Sequence, residues 1–476
     1  MRPFVALLAG SISAAALSAT NPVGVQTKLD AAWQVRTRAM FKELIEIPTV
    51  AGRGQMPAAA EAIGRQLRDG GFPAADMRVL PYEGLPGDET AAFLFRWRAP
   101  HPTKKPMLII GHMDVVEAKR EDWKDDPFKF REQDGYFYGR GTADMKGSLV
   151  AATMAVIKLK QSGFTPKRDI ILFFTGDEET KQNGALKGAT EWRSLLDSEF
   201  ALNADGGGGA FDHNGRPLGF TLISAEKTFQ TYLLTVQNPG GHSSRPRADN
   251  AIYELADALK QVQSHRFTPE LNPTTRAYFN ERQKDETGSL GDAMRRWLSN
   301  EKDGEAADII EADNLELGMT RTRCVATMLQ AGHADNALPQ SATATVNCRI
   351  MPGIQPSSVQ AELQQAVGPN VEVKPDPNFI GQPTPVFPLR DDVRRAFTNA
   401  VRMLQGPTSR VMPQMVAGTS DSSFFRAAGM PTYHVGGGWV IWPDDDRGHG
   451  LDERIPVRAV FDDVLHWEAV IRELSN

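Results

Sequence analysis

The strongest constraint on this chain is a succession of apolar, strand-like runs that alternates with helical patterns. The runs MLIIGHMDVV and RDIILFFTGDEE flank KGSLVAATMAVIKLKQSG, whose composition and spacing are those of a helix. A strand that is apolar along its whole length is buried on both faces, as in a parallel sheet with helical connections. The succession therefore predicts an α/β domain with a mostly parallel central sheet flanked by helices.

The length of the chain and a change of pattern near Glu226 predict a second domain. A single hydrophobic core stops growing near about 250–300 residues, and this chain has 476. From Glu226 an alternating strand begins a smaller α+β unit, in which the polar stretch from about His265 to Met319 is predicted to be a helical or loop insertion. The predicted units are a signal peptide at 1–19, a catalytic domain in two parts at 20–225 and 381–476, and an inserted lid or dimerisation domain at 226–380.

Composition and charge exclude several classes of protein. With 41% hydrophobic and 24% charged residues, the chain has an ordinary globular composition. Its net charge of -6 is spread along the sequence without a block of Lys or Arg, so we expect no nucleic-acid binding. The N-terminal apolar run is shorter than the roughly 20 residues that cross a bilayer, so we expect no membrane span.

The first residues predict export. The segment MRPFVALLAGSISAAALSAT places Arg2 before an apolar, Ala-rich stretch that ends in small residues, which is typical of a cleaved signal peptide. The alternative interpretation is a first helix of the fold. We expect a periplasmic or extracellular protein after cleavage.

Two cysteines, Cys324 and Cys348, lie in two strand-like runs. If these strands pair as a hairpin about Asn336, the cysteines face each other across the ladder. A disulfide is then possible in an oxidising compartment, and two buried free thiols are an equal alternative. Both cysteines are far in sequence from the histidine and acidic motifs, which argues against a cysteine metal site.

A histidine and an acid occur together at the end of an apolar run. His112 and Asp114 are two residues apart, so their side chains point to the same face of the strand. One of them could bind a metal ion while the other orients it, because a metal-bound imidazole is commonly held by a second group. Alone, this pair also occurs by chance at surface strand ends.

Further acids occur where other runs end. Asp144 precedes a helix, Asp177 to Glu179 leave a buried strand, Asp205 precedes four glycines, and His449 lies between two glycines. Taken singly, each has an ordinary explanation, such as a helix N-terminal acid or a solvated loop. Together they predict a two-zinc site, because Zn²⁺ takes imidazole and carboxylate ligands and the strand ends of an open α/β sheet form one crevice.

These motifs resemble those of the M20 family of metallopeptidases. The segments GHMDVV, GRGTADMKG, TGDEE, NADGG, GGHSSRP and GHGLDE occur in the order and approximate spacing of that family. The family includes glutamate carboxypeptidase, carnosinase-like dipeptidases, aminoacylase and succinyl-diaminopimelate desuccinylase. The resemblance implies that a two-zinc centre hydrolyses an amide bond with activated water, and cobalt or manganese could replace zinc.

The resemblance also implies a role for each residue of the site. One zinc ion would have His112, Asp144 and Asp205 as ligands, and the other would have Asp144, Glu179 and His449. In the same comparison, Asp114 orients His112 and Glu178 is the general base. The peptide bond after Asp144 is often cis in such families.

The inserted domain is implied to supply further groups. His242 is the candidate for oxyanion stabilisation, and in relatives this histidine can come from the partner subunit of a homodimer formed through the inserted domain. Arg349 resembles the family arginine that grips a substrate carboxylate, a task suited to a planar bidentate donor. The remaining substrate-contact candidates are Asn336, Gly418, Thr419 and Ser420. Helix capping is an equal explanation for Thr419 and Ser420.

The resemblance leaves the substrate open between two classes. The leading hypothesis is a dipeptidase or carboxypeptidase acting on short peptides with a free carboxylate, because the long stretch after His265 resembles the larger carboxypeptidase-like members. An N-acyl-amino-acid amidohydrolase, a deacylase, is the alternative within the same chemistry. A non-catalytic metal- or peptide-binding protein of the same fold is a third hypothesis, but no ligand or base is missing.

Overall fold

A computed structural model of the protein describes residues 22–284, 286–377 and 381–476, so the predicted signal peptide at 1–19 lies outside the described residues. The helices are α1 (Ala31–Glu46), α2 (Met56–Asp69), α3 (Lys146–Gln161), α4 (Asn183–Ala189), α5 (Arg193–Leu196), α6 (Ala251–Ser264), α7 (Pro273–Arg282), α8 (Gly288–Ser299), α9 (Gly304–Glu311), α10 (Pro356–Val367), α11 (Asp391–Gln405), α12 (Ser422–Ala427) and α13 (Val457–Ser475). Within these described ranges, every helix is too short or too polar to cross a bilayer.

The strands are β1 (Met77–Glu83), β2 (Glu89–Trp97), β3 (Met107–His112), β4 (Arg131–Gln133), β5 (Tyr136–Tyr138), β6 (Ile170–Thr175), β7 (Phe200–Phe211), β8 (Pro217–Glu226), β9 (Thr228–Gln237), β10 (Gly241–His242), β11 (Arg323–Ala331), β12 (Ala337–Leu338), β13 (Ser341–Ile350), β14 (Glu372–Pro375), β15 (Val411–Val416), β16 (Thr432–Ile441) and β17 (Arg454–Pro456). The large sheet consists of eight of these strands, in the order β1-β2-β6-β3-β7-β16-β8-β15. Strands β6, β3, β7 and β16 are parallel to one another and form the middle of the sheet. Strand β15 is parallel to β8. The predicted fold class, an α/β sheet flanked by helices plus a smaller unit, is confirmed.

Helices cover both faces of the large sheet, which explains why β3 and β6 are apolar over most of their length. Successive residues of a strand point to opposite faces. Met107 and Ile109 of β3 enter a core with α1, α2, α3, α11 and α13, whereas Leu108 and Ile110 enter a second core with α4, α5 and α12. With both faces covered, the ends of the parallel strands are left for a site.

A second sheet is antiparallel and has the strand order β11-β13-β9-β14. The chain crosses from the large sheet to this one at Lys227, between β8 and β9. Apolar residues of α6 and α10 share a core with these strands. A disulfide joins Cys324 to Cys348, and the two residues face each other in the β11–β13 ladder, as the hairpin prediction requires.

The polar stretch after His265 is largely helical and packs against the large sheet. Helices α7, α8 and α9 enclose a core around Phe279 and Trp297, and this core includes Met415 of β15. Strand β15 is an edge of the large sheet. The helices therefore cover an edge strand. Without such cover, the unpaired N–H and C=O groups of an edge strand can pair with another chain.

Candidate metal centre

The predicted ligands come together where parallel strands of the large sheet end. Carboxyl ends of neighbouring parallel strands meet at one edge, which is why residues far apart in sequence can share a site there. Strands β3, β6 and β7 contain or precede His112, Glu178, Glu179 and Asp205. Asp144 lies two residues before α3, and His449 lies in the loop before β17.

The carboxylate of Asp144 lies between the two histidines. Its Oδ1 atom is 3.3 Å from Nε2 of His112, and its Oδ2 atom is 3.1 Å from Nε2 of His449. The peptide bond from Asp144 to Met145 is cis, as the family resemblance implies. Because one carboxylate oxygen faces each imidazole, Asp144 has the geometry of a ligand shared by two ions.

Two groups of three side chains share Asp144. In each group the potential ligand atoms lie within 4.8 Å of one another, and the groups are His112 with Asp144 and Asp205, and Asp144 with Glu179 and His449. Nε2 of His112 is 3.3 Å from Asp144 and 4.0 Å from Asp205, and Nε2 of His449 is 3.1 Å from Asp144 and 2.9 Å from Glu179. Ligand atoms about 2.0–2.2 Å from a common Zn²⁺ lie within roughly 4 Å of one another. Both the chemistry of the donors and their spacing therefore fit a pair of divalent cations.

Asp114 is buried beside His112 and holds several parts of the site. The nearest acceptor for Nδ1 of His112 is the main-chain oxygen of Asp114 at 3.0 Å, and the carboxylate is 3.4 Å away. The carboxylate accepts the main-chain N–H groups of Glu178 at 3.1 Å and Glu179 at 2.9 Å. Asp114 thus positions the imidazole with its main chain and the two glutamates with its side chain.

Glu178 is half-buried next to the shared ligands. It belongs to a third group of possible metal-binding side chains, with His112 and Glu179. Burial raises the pKa of the Glu178 carboxyl well above its usual range, although His112 opposes the shift. Gln182 donates a hydrogen bond to Oε1 of Glu178 at 2.8 Å. A carboxyl with a raised pKa and a fixed orientation is suited to accept and return a proton.

Charged groups of opposite sign lie close together in the site and shift one another's pKa values. Burial raises the pKa of Asp205 to about 6, with His112 opposing the shift and Asp144 adding to it. Hydrogen bonds to Asp144 and Glu179 raise the pKa of His449 to about 10. Burial acts against ionisation of Asp144, yet the hydrogen bonds from His112 and His449 keep its pKa below the ordinary value. Carboxylates outnumber histidines here, and bound cations would offset this excess of negative charge.

The family follows from a match that covers most of the chain. The model of peptidase family M20/M25/M40 matches residues 108–473, a span that contains every candidate ligand. The chain belongs to this family. It is therefore a hydrolase of the M20 metallopeptidase group, and the family resemblance of the motifs is confirmed.

Individual M20 proteins resemble this chain over most of their length. The N-fatty-acyl-amino acid synthase/hydrolase PM20D1 of Homo sapiens is 27% identical over 440 residues, which are 90% of this chain and 85% of that protein. The M20 family metallo-carboxypeptidase Sso-CP2 from Sulfolobus solfataricus has a TM-score of 0.66 at 19% identity, covering 92% of this chain and 98% of that one. The Bacillus subtilis YXEP protein, a dinuclear metal-binding peptidase, has a TM-score of 0.59 at 12% identity, covering 94% and 99%. The two solved structures show that the M20 fold is shared.

Two further predicted residues, His242 and Asn336, lie at the short pair of strands β10 and β12. His242 of β10 is exposed, and its Nδ1 atom is 2.8 Å from Oγ of Ser244. Asn336 is its neighbour, because β10 pairs with β12 and the main-chain oxygen of Asn336 accepts the N–H of Ser243. Within the described ranges, His242 belongs to none of the His, Cys, Asp and Glu groups that could hold a metal ion.

Arg349 lies beside the loop that contains the other candidates. Its Nη1 atom donates to the main-chain oxygen of Ala417 at 3.3 Å, and its guanidinium lies 4.5 Å from the ring centre of Phe229. Gly418 is exposed and Thr419 is half-buried. Ser420 is buried, and its hydroxyl donates to Glu226 at 2.6 Å and accepts the N–H of Ser422. The structure therefore brings Arg349 and this loop together, with the Ser420 hydroxyl already hydrogen-bonded inside the protein.

Sequence reasoning missed several buried groups that hold the ligands. Arg140 and Glu453 form a buried ion pair beside Asp144, and Glu226 pairs with Arg426 and His434 behind Asp205. The segment GHGLDE contained Glu453, yet nothing in the local pattern distinguished it from a surface acid. The glycines after Asp205 lie against β16: a Cβ atom on Gly208 would be 2.3 Å from the main-chain oxygen of Gly438. They are needed for close contact between strands.

Proposed function

We propose that this protein is a zinc-dependent amidohydrolase that cleaves an amide or peptide bond in a small substrate with a free carboxylate. The observation that carries the proposal is the Asp144 carboxylate, whose two oxygens face His112 and His449. Imidazole and carboxylate ligands suit zinc, although cobalt or manganese can share them. When bound, two such ions lower the pKa of a shared water and polarise the scissile carbonyl.

Glu178 is the proposed general base. Its raised pKa suits a carboxylate that takes a proton from water and passes it to the leaving amine. The hydrogen bond from Gln182 fixes one of its oxygens, and the bond from its own N–H to Asp114 fixes its main chain. Asp114 also orients His112 through the main-chain oxygen.

The proposed recognition element is the free carboxylate of the substrate, held by Arg349. A guanidinium has five N–H donors in a planar fork that matches a carboxylate, and one of them is engaged with Ala417. Stacking on Phe229 keeps the fork oriented. Gly418 and Thr419, which follow Ala417, are the proposed main-chain contacts to the substrate.

Two substrate classes carry such a carboxylate. The first candidate is a short peptide, cleaved by dipeptidase or carboxypeptidase action. The second is an N-acyl amino acid, and the similarity to the human N-fatty-acyl-amino acid synthase/hydrolase over 90% of this chain favours it. A non-catalytic binding protein is the third alternative, and the presence of Glu178 together with all five proposed ligands argues against it.

The Glu178→Gln variant tests catalysis. We expect turnover to be lost while metal content, measured by elemental analysis, stays at the native level, because glutamine keeps the shape but cannot accept the proton. Glu199→Gln is the matched control, because Glu199 pairs with Arg168 just before β7 and belongs to none of the groups of possible ligands among the described residues. Native activity of Glu178→Gln would remove the assigned base, and an inactive native protein on every substrate would favour the binding alternative.

A substrate panel tests recognition. Dipeptides and N-acyl amino acids are each assayed with a free and with an amidated C-terminal carboxylate. We expect turnover only with the free carboxylate, and we expect Arg349→Met to raise KM more than it lowers kcat. Arg402→Met on α11, an exposed arginine, is the control. Equal turnover of amidated substrates would contradict the recognition by Arg349, and the preferred class decides between peptidase and deacylase.

We propose that 226–380 is an inserted domain through which the protein forms a homodimer. Strand β11 is the edge of the second sheet, and Val325, Met328 and Leu329 on it are each 60% exposed. An open apolar edge is a template for pairing with another strand. In such a dimer, His242 is the proposed oxyanion donor, supplied from the partner subunit. Sedimentation should show a native dimer and a Met328→Glu monomer with reduced kcat, whereas a native monomer would contradict the proposal.

We also propose export, with removal of residues 1–19. The disulfide between Cys324 and Cys348 supports an oxidising compartment. Expression of the full chain followed by cell fractionation and N-terminal sequencing tests this. We expect the protein outside the cytoplasm with a new N-terminus near residue 20, and recovery of intact Met1 in the cytoplasm would contradict it.

A further inference from the structure

Glu453 is fully buried in the wall of the metal centre. Among the described residues it belongs to none of the groups that could hold a metal ion. Its carboxylate instead accepts three main-chain N–H groups of the loop that ends at the shared ligand. These are the N–H of Gly141 at 3.0 Å, of Ala143 at 2.7 Å and of Asp144 itself at 3.0 Å.

Arg140 connects this carboxylate to the loop that contains the second histidine. Its Nη1 atom donates to Oε2 of Glu453 at 2.6 Å. Its Nη2 atom donates to the main-chain oxygens of His449 at 3.2 Å and Gly450 at 3.1 Å. The guanidinium also lies 5.1 Å from the ring centre of Trp123. One buried ion pair therefore joins the Asp144 loop to the His449 loop.

The chemistry of these contacts requires a carboxylate at position 453. The loop around Asp144 is not part of a strand ladder, so its buried and half-buried N–H groups need another acceptor. Oε1 of Glu453 accepts from Ala143 and Asp144, and Oε2 accepts from Gly141 and Arg140. A glutamine has one acceptor oxygen and one NH₂ group. In either orientation of the amide, the NH₂ group would face two hydrogen-bond donors.

We infer that Glu453 and Arg140 are positioning residues that set the affinity of the two-metal site. Glu453 holds the main chain of Asp144, and Arg140 holds the main chain of His449 through the same ion pair. The ion pair therefore links the main chain of Asp144 to that of His449, and neither of its members is a candidate ligand. This inference rests on the proposed metal-dependent function, whose failure the experiment below distinguishes.

The test compares metal affinity in the native protein, Glu453→Gln and a matched control. Zinc dissociation constants are measured on the metal-free proteins by competition with a chromophoric chelator, and Co²⁺ absorption spectra report the ligand geometry. Glu316→Gln is the control, because Glu316 is also a buried acid paired with an arginine, Arg282, but lies in the helical segment that covers β15. A merely structural role would lower the melting temperatures of both variants alike.

We expect Glu453→Gln to weaken zinc binding by roughly 10–100-fold, as substitutions behind metal ligands do, and to alter the Co²⁺ spectrum. The control should bind zinc as the native protein does. Native affinity and spectrum in Glu453→Gln would overturn the inference. If that variant does not fold, Arg140→Lys decides, because lysine keeps the charge but cannot reach Glu453, His449 and Gly450 together: a tenfold loss supports the inference and native affinity overturns it. A native chain that binds no metal would refute the proposed function itself.

Discussion

The Oδ1 atom of Asp114 accepts a hydrogen bond from the main-chain N–H of Glu178 at 3.1 Å. The other carboxylate oxygen accepts the N–H of Glu179 at 2.9 Å. Asp114 therefore fixes the main chain at the point where the proposed base and a proposed ligand follow each other. It does so from the end of β3, so the relative position of His112 and Glu178 depends on this side chain.

Replacement of Asp114 by asparagine should impair catalysis more than it impairs folding. Asparagine has one acceptor oxygen, so one of the two N–H bonds to Glu178 and Glu179 is lost. We expect kcat to fall roughly 10–100-fold, measured in steady-state assays at matched zinc content. Asp169→Asn is the control, because Asp169 also accepts a main-chain N–H, from Ala99 at 2.9 Å. A native kcat in Asp114→Asn would argue against this role.

Removal of metal should abolish activity reversibly. Dialysis against a chelator is expected to stop turnover, and addition of zinc to restore it. His449→Ala should reduce the zinc content from two ions per chain to one, because Asp144, Asp205 and His112 still form one complete group. His213→Ala, which removes an exposed histidine 3.1 Å from Asp444, should keep the native content. Elemental analysis after gel filtration measures both, and equal zinc content in the two variants would contradict the ligand assignment.

The ion pair between Glu226 and Arg426 should contribute strongly to stability, because both side chains are buried at 1% exposure and lie 2.6 Å apart. Arg426→Met leaves the Glu226 charge without its main partner. Breaking a buried pair costs about 3–5 kcal/mol, so we expect the free energy of unfolding to fall by that amount in urea titrations. Arg395→Met breaks the more exposed pair with Glu473 and should cost only about 0.2–1 kcal/mol. Equal losses would contradict this prediction.

The need to protonate buried His466 should make the folded protein less stable in mild acid. Burial lowers the pKa of His466 from 6.5 to about 4, although its hydrogen bond to the main-chain oxygen of Val435 opposes the shift. Because the pKa is lower in the folded state, this contribution is fully present above about pH 6.5 and is lost as the pH falls toward 4. The loss amounts to about 3 kcal/mol.

The His466→Gln variant isolates this effect, because glutamine can donate to Val435 without titrating. Between pH 6.5 and 4 we expect its melting temperature to fall less steeply than that of the native protein. His101→Gln, at an exposed histidine, should follow the native pH dependence. Parallel curves for His466→Gln and the native protein would show that another group is responsible.

Much of the fold could be predicted because its signals are local. The apolar runs that form β3 and β6 are buried on both faces. Such burial requires a continuous apolar run, which is visible within six to ten residues of sequence. The candidate ligands could be proposed for the same reason: histidine and carboxylate at strand ends are unusual in a folded core, and their chemistry limits what they can bind. The positions of His242 and Ser420 could not be predicted, because their contacts depend on which remote segment packs beside them.

The sequence by itself determined the α/β class, the family and the identity of the candidate ligands. Each of these depends on residue types and on short-range spacing. The tertiary structure alone decided that Glu453 accepts the N–H of Asp144, that Arg140 reaches His449, and that the helices after His265 cover β15. The physical reason is that a buried hydrogen bond or ion pair requires a partner at a particular distance and angle, and partners about three hundred residues apart meet only after the sheet has formed.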